Sequence, residues 1–397
     1  MTPPEPFRYR RQFPWLHIFR AFGIALALRQ LLLSGLALVA LSFGQNLFNG
    51  FGLSEPASPK PSHGRTAQIA EILNESPQAP SRSENTPPKE PDKWQQRFGT
   101  WPKVLFAPSV RPWDDVLFPA ISILSPTPSR MNRVLALLQF AWAISVWSLF
   151  GLAICRLAAI QVARDESGSF RRATQFGVTR WKNAVAAPLI PLAAAIIVLF
   201  GVMCLVVPSH LPLIGHVWLY AASPALLAGG CAVIVLLLTA ALGWPLMIAA
   251  IAVDDCDGFG GLSRAYSFCT GRPAHAIVFV TVAVAFASFL THVTSTLFAT
   301  ATLLARMTAA IATSHVPHLE TVFHGCGLVA HALEGIFAIS LYWTSVTLVY
   351  MLLRAAVDQR PLDHLAPDET ERPPRTPLPV VGIPAIDAAN SESGPEA

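Results

Sequence analysis

AVAAPLIPLAAAIIVLFGVMCLVV, residues 184–207, decides the class of this fold. It carries no charged side chain from end to end. A bilayer has a hydrocarbon core of about 30 Å, and a helix rising about 1.5 Å per residue crosses it with roughly 20 apolar residues. Comparable runs lie at 31–49, 134–158, 224–253, 276–304 and 334–353. Six such runs predict an all-α integral membrane protein with six transmembrane helices. The runs at 224–253 and 276–304 exceed what a span needs, which predicts tilt or extension past the lipid. Composition points the same way. Of 397 residues, 53% are hydrophobic and 13% charged, where a soluble chain carries about 25% charged residues.

The charges sit at the ends of the apolar runs. Arg8, Arg10, Arg11 and Arg20 precede the first span, and Arg156, Arg164, Arg171, Arg172, Arg180 and Lys182 lie between the second and third. Arg264 and Arg272 lie between the fourth and fifth, and Arg354 and Arg360 follow the sixth. The opposite short connections are nearly bare of Lys and Arg: 210–216 has none, and the fifth-to-sixth connection has only Arg306. The positive-inside rule then places both termini in the cytoplasm of a bacterium whose inner membrane the chain crosses six times. A net charge of +4 distributed this way argues for membrane orientation and against nucleic acid. The first run lies deep in the sequence and lacks a small-residue cleavage site, so it reads as a span rather than a signal peptide.

Residues 1–50 then form an N-terminal elbow and the first span, and 51–133 an extracytoplasmic insert. Residues 134–357 form five spans with two elbows, and 358–397 a disordered cytoplasmic tail. The insert is rich in Pro, Ser, Glu and Asn up to Pro91, a composition that cannot bury enough apolar surface to fold alone. Its second half carries Trp94, Trp101, Phe106, Trp113 and Phe118 among prolines. The apolar piece 116–124 is too short to span and contains Pro119, so it is expected on the outer membrane surface.

A repeat organises the rest. After the second span the chain reads LAAIQV (157–162), Asp165, FRRATQF (170–176) and Arg180. After the fourth it reads IAAIAV (248–253), Asp257, LSRAYSF (262–268) and Arg272. A weaker copy, IFRAFGI (18–24) with Arg29, precedes the first span. Phe170, Ala173 and Phe176 share a helical face, as do Leu262, Ala265 and Phe268. Each segment therefore reads as an amphipathic elbow helix on the cytoplasmic membrane surface. The unit is elbow, span, span, repeated three times. In this register Arg29 and Gln30 end a surface helix rather than lie inside a span. Arg20, Arg29, Arg171, Arg172, Arg180, Arg264 and Arg272 become candidates for contact with lipid phosphates.

The segments RLAAIQVARDE, FRRA and APLIP resemble a group of uncharacterised bacterial multi-pass membrane proteins, as do GWPLM, LSRAYSF and YMLLRAAVD. They are also distantly similar to the membrane domain attached to some glycerophosphodiester phosphodiesterases. The resemblance runs from about Trp15 to Asp363, omitting the insert and the tail. It implies a six-span fold with elbow helices and no established activity, since the chain contains no phosphodiesterase catalytic domain.

Catalytic signals are weak. Asp254, Asp255, Asp257, Gly258 and Arg264 lack the spacing of a CDP-alcohol phosphotransferase and read as helix capping before the third elbow. His315, His318, Glu320, His324, His331 and Glu334 gather before the sixth span and suit zinc by ligand type, without a specific metal-binding spacing. Glu320 with His324 and His331 with Glu334 are expected to share helix faces. His292 in the fifth span is a candidate to line a cavity. The six cysteines form no C-x-x-C pair and read as small hydrophobes. There is no P-loop, G-x-S-x-G or Rossmann fingerprint. No cofactor is implied. The expected function is that of a non-catalytic membrane-organising protein that binds lipids, or protein partners through its elbows. A small-solute or lipid transporter and an enzyme using the outer His/Glu loop are the alternatives.

Overall fold

The computed structural model describes residues 14–48, 112–117, 119–120, 123, 130–166, 168–211, 215–312, 319–359 and 362. The expected disorder of the first half of the insert, and nearly all of the tail, lie outside these residues. The described chain is helical, with no strand. A 3-10 turn, Pro14–Phe19, leads into α1 (Arg20–Ala25) and α2 (Leu28–Phe48). Then come α3 (Arg130–Arg164), α4 (Phe170–Val206), α5 (Gly215–Asp254), α6 (Gly258–Gly271), α7 (Pro273–Ala312) and α8 (Leu319–Asp358). Six of them, α2, α3, α4, α5, α7 and α8, are long and apolar enough to cross a membrane. Helices suit that solvent because every backbone polar group is satisfied within the segment.

α3 and α8 form the centre. Trp147, Leu152 and Ile154 of α3 and Trp343, Leu348 and Met351 of α8 are fully or almost fully buried. α5 differs along its length. Its last turns, from Trp244 to Val253, are packed into the core, whereas Val217, Leu227, Ile234 and Leu238 are exposed. Their counterparts on α4, including Ile196, Ile197, Phe200 and Met203, are exposed too. In a membrane these side chains meet hydrocarbon, so their exposure carries no penalty from water.

α3, α5 and α8 end at the same side of the bundle, called here the charged end. Each is followed directly by a residue with positive φ: Asp165 at 56°, Asp255 at 49° and Gln359 at 55°. A left-handed residue just past a helix satisfies its last carbonyls and turns the chain away.

The three elbows are not built alike, and two expectations change. FRRATQF is not a separate helix, because α4 runs from Phe170 through the span without a break. No proline lies between Phe170 and Ala187, and the helix continues through Pro188 and Pro191 inside the span. LSRAYSF does form its own helix, α6, because Pro273 follows Arg272. A residue before proline is driven out of the helical region, and Arg272 sits at φ −141°, ψ 72°. Proline then suits the first position of α7. At the N-terminus, Arg29 and Gln30 lie in the first turn of the spanning α2, not at the end of a surface helix. The break falls earlier, at Leu26 and Ala27.

Candidate functional site

The charged end is built around Asp254, the last residue of α5. Its carboxylate accepts from Arg354 at 2.5 Å, from Arg264 at 2.5 Å and from the Tyr350 hydroxyl. Arg354 is 1% exposed, so Asp254 supplies the countercharge that its burial demands. One carboxylate thereby ties together α5, α6 and α8. Burial alone would lower the pKa of Arg264, but the hydrogen bond and charge of Asp254 outweigh it and hold the guanidinium above its ordinary value. Arg156, buried on α3, donates to the Ala252 carbonyl at 2.9 Å and lies 4.8 Å over the Phe176 ring.

Two further ties join the elbows to their neighbours. Arg180 pairs with Asp255 at 2.8 Å, and Arg20 pairs with Asp165 at 2.7 Å. Arg29 donates to the Gly168 carbonyl. Among the seven arginines expected to meet lipid, Arg20, Arg29, Arg180 and Arg264 are engaged by the protein itself. Arg171, Arg172 and Arg272 are exposed. The expected lipid-facing stripe also changes. Ala173, Phe176, Ala265 and Phe268 are buried against protein, with Phe268 5.5 Å from Tyr350. The elbow segments lie over the ends of the central helices, so their apolar faces find side chains first.

Gln30 is buried between α2 and α8, where its side-chain oxygen accepts from Thr344 at 2.7 Å. Ser340 donates to the Ala25 carbonyl at 2.7 Å on the same side of α8. The expectation of a surface-helix terminus at Gln30 is replaced by a polar clasp inside the bundle. The acidic run before α6 caps as expected at one position: Asp257 is the N-cap, and its carboxylate accepts from the Gly260 amide at 2.9 Å.

His292, the candidate to line a cavity, is exposed on α7. The buried stripe on that helix steps through Phe279, Ala283, Ala287 and Thr291, and His292 falls one residue off it. Thr291, Thr294 and Thr296 each donate to the carbonyl four residues back in their own helix. Of the six candidate metal ligands, His315 and His318 lie outside the described residues, as do the side chains of Glu320 and His324. His331 and Glu334 do share a face, with Nδ1 and Oε2 3.7 Å apart. No group of three metal-ligating side chains occurs among the described residues. All six cysteines are free thiols.

The insert holds what sequence reasoning missed. Residues 112–117 are helical and pack into the bundle rather than on its outer surface. Val116 belongs to the core, and Trp113 meets Trp244 edge-to-face at 5.9 Å. Asp115 accepts from the Gln45 side chain of α2 at 3.3 Å. The only advance signal was the aromatic spacing, which does not report depth. Between this segment and α3, α4 and α5 lies a crevice of about 200 Å³, lined by apolar side chains.

No protein-family model, curated protein or solved structure matches this chain. The functional reading therefore rests on the geometry alone.

Proposed function

We propose that the chain is a non-catalytic membrane-organising protein whose charged end gathers anionic lipid headgroups. The observation that carries this reading is the division of charge at that end. Asp254, Asp255 and Asp165 are engaged by arginines of the chain, while Arg171, Lys182 and Arg272 are exposed and make no ion pair among the described residues. Each basic side chain near an anionic surface contributes about 1 kcal/mol of attraction. The positive-inside rule supports placing this end, and both termini, in the cytoplasm at a bacterial inner membrane. The left-handed residue after each of α3, α5 and α8 supports a threefold repeat of paired spans.

The test uses the full chain in vesicles containing phosphatidylglycerol. Anionic lipid retained after purification is quantified by mass spectrometry for wild type and for Arg171→Gln with Lys182→Gln and Arg272→Gln. Retention should fall several-fold in the triple variant. Equal retention in the two proteins would overturn the proposal.

A further inference from the structure

We propose that the outward face of α6 is seated in the lipid of the leaflet at the charged end, with Phe259 and Tyr266 as its interfacial anchors. The two side chains stand two turns apart, at i and i+7, so they share a face. They are 65% and 56% exposed, whereas Gly258, Gly261, Ala265 and Phe268 on the packed face are buried. A helix face turned to water ordinarily carries charge. This one carries none, because the only charged side chain of α6, Arg264, is bound to Asp254. The hydroxyls beside the aromatics are served by their own helix: Ser267 donates to the Arg264 carbonyl at 3.1 Å and Thr270 to the Tyr266 carbonyl at 2.9 Å. Hydroxyls bonded in this way tolerate an apolar setting.

Depth decides which solvent meets that face. α6 turns back along the last turns of α5, since a Cβ at Gly261 would meet the Ile251 side chain at 2.9 Å and the Met247 carbonyl at 3.2 Å. At the start of α6, a Cβ at Gly258 would come within 3.3 Å of the Ala187 amide nitrogen on α4. Met247 and Ile251 lie inside the apolar run 224–253, and Ala187 lies inside the run 184–207. Chain connectivity enforces the same depth. Three residues separate α5 from α6 and one separates α6 from α7, and both neighbours are long and apolar enough to cross a membrane. A helix held there with an uncharged, aromatic outer face fits the boundary between headgroups and acyl chains, where aromatic rings are favoured. The segment 170–176 differs, because Arg171 and Arg172 are what it exposes. The seating of α6 stands on burial and depth and does not depend on anionic headgroup binding.

The test uses the full chain in neutral phosphatidylcholine vesicles, which separates the result from any anionic headgroup effect. A nitroxide is attached at Phe259→Cys or Tyr266→Cys in a chain whose six native cysteines are replaced by alanine. Phe289→Cys on the exposed side of α7 is the lipid reference, and Glu166→Cys in the exposed α3–α4 connection is the water reference. Collision with oxygen, which concentrates in lipid, is compared with collision with a water-soluble nickel chelate. The oxygen-to-nickel ratio at 259 and 266 should be several-fold above that at 166. A ratio equal to that at 166 would overturn the proposal. Protection from both reagents would also overturn it, because protein, either a partner or a second copy, would then cover the face. Should the cysteine-free chain fail to fold, wild type is irradiated in vesicles of phosphatidylcholine bearing a diazirine in the upper acyl chain, and adducts are mapped by peptide mass spectrometry. Labelling of Phe259 and Tyr266 should match that of Ile277, exposed near the start of α7. Labelling of Ile277 without the other two would overturn the seating of α6.

Discussion

The segments 170–176 and 258–271 begin from nearly the same sequence motif and reach different structures. The first is the opening of a long helix that continues across the membrane, and the second is a helix on its own. A single dipeptide, Arg272-Pro273, separates the two outcomes. Their anchoring differs as well. The α4 segment is held by Phe176 under Arg156 and by Arg180 on Asp255, whereas α6 is clamped through Arg264 to a carboxylate that also serves buried Arg354. A shared motif thus specifies which face packs. Its flanks determine whether the segment is rigidly continuous with a span or docked beside it.

The largest test of this contrast is Asp254→Ala. It leaves Arg354 buried without its countercharge, and a loss of about 3–5 kcal/mol is expected from thermal unfolding in detergent. Asp165→Ala breaks the pair that ties the end of α3 to Arg20 of α1, but the Asp165 side chain is 84% exposed and the expected loss is no more than about 1 kcal/mol. Comparable losses from the two would erase the distinction between clamp and surface pair.

Glycines give a second comparison. A Cβ at Gly258 would come within 2.8 Å of the Asn183 carbonyl, and one at Gly177 within 2.9 Å of the Leu149 carbonyl. Both are backbone atoms of a neighbouring helix and cannot swing away. Alanine at either position should cost about 1–3 kcal/mol, read in the same unfolding assay. A neutral Gly258→Ala with a costly Gly177→Ala would mean that α6 docks loosely. Smaller still, Asp257→Ala removes the cap of α6 and should cost about 1 kcal/mol, with no equivalent at Ser169, which makes no capping side-chain bond.

The mildest effect is chemical. Burial, with the nearby Asp254 and Asp257 carboxylates adding to it, pushes the Cys256 thiol from 9.0 up to about 11 against the opposing charge of Arg264. A raised pKa means less thiolate at any pH below it. Maleimide labelling of Cys256, followed by peptide mass spectrometry, should therefore be slow at pH 8 and keep accelerating beyond pH 9. A rate that levels off near pH 9 would show that the elbow opens on the labelling timescale.

The spans were legible in the sequence because membrane crossing is a local demand, met by an uninterrupted apolar run such as 184–207. The end of α6 was legible in principle at Pro273, although the repeat drew attention to the similarity of the copies. The partners of the arginines were not legible. Arg264 lies ten residues from Asp254 and Arg354 a hundred, and nothing in either local sequence distinguishes an arginine that reaches lipid from one that reaches a carboxylate. The apolar faces of the elbows misled for the same reason. A stripe of Phe and Ala has the same pattern whether lipid or protein covers it. The burial of residues 112–117 was hidden by the prolines around them, since a short apolar piece among prolines reads as a surface segment.

Trp113, Trp244, Trp343 and Trp147 follow one another through the bundle with ring centres 5.9, 5.8 and 5.9 Å apart. Indoles held this close in fixed, non-parallel orientations couple optically, so the chain carries a built-in chromophore array that reads tertiary order directly. Its near-ultraviolet circular dichroism reports the seating of the insert segment on α5 and the packing of α5 against α8 and α3. Helix content can survive the loss of that packing, and the two signals together would separate a properly closed bundle from helices merely afloat in detergent.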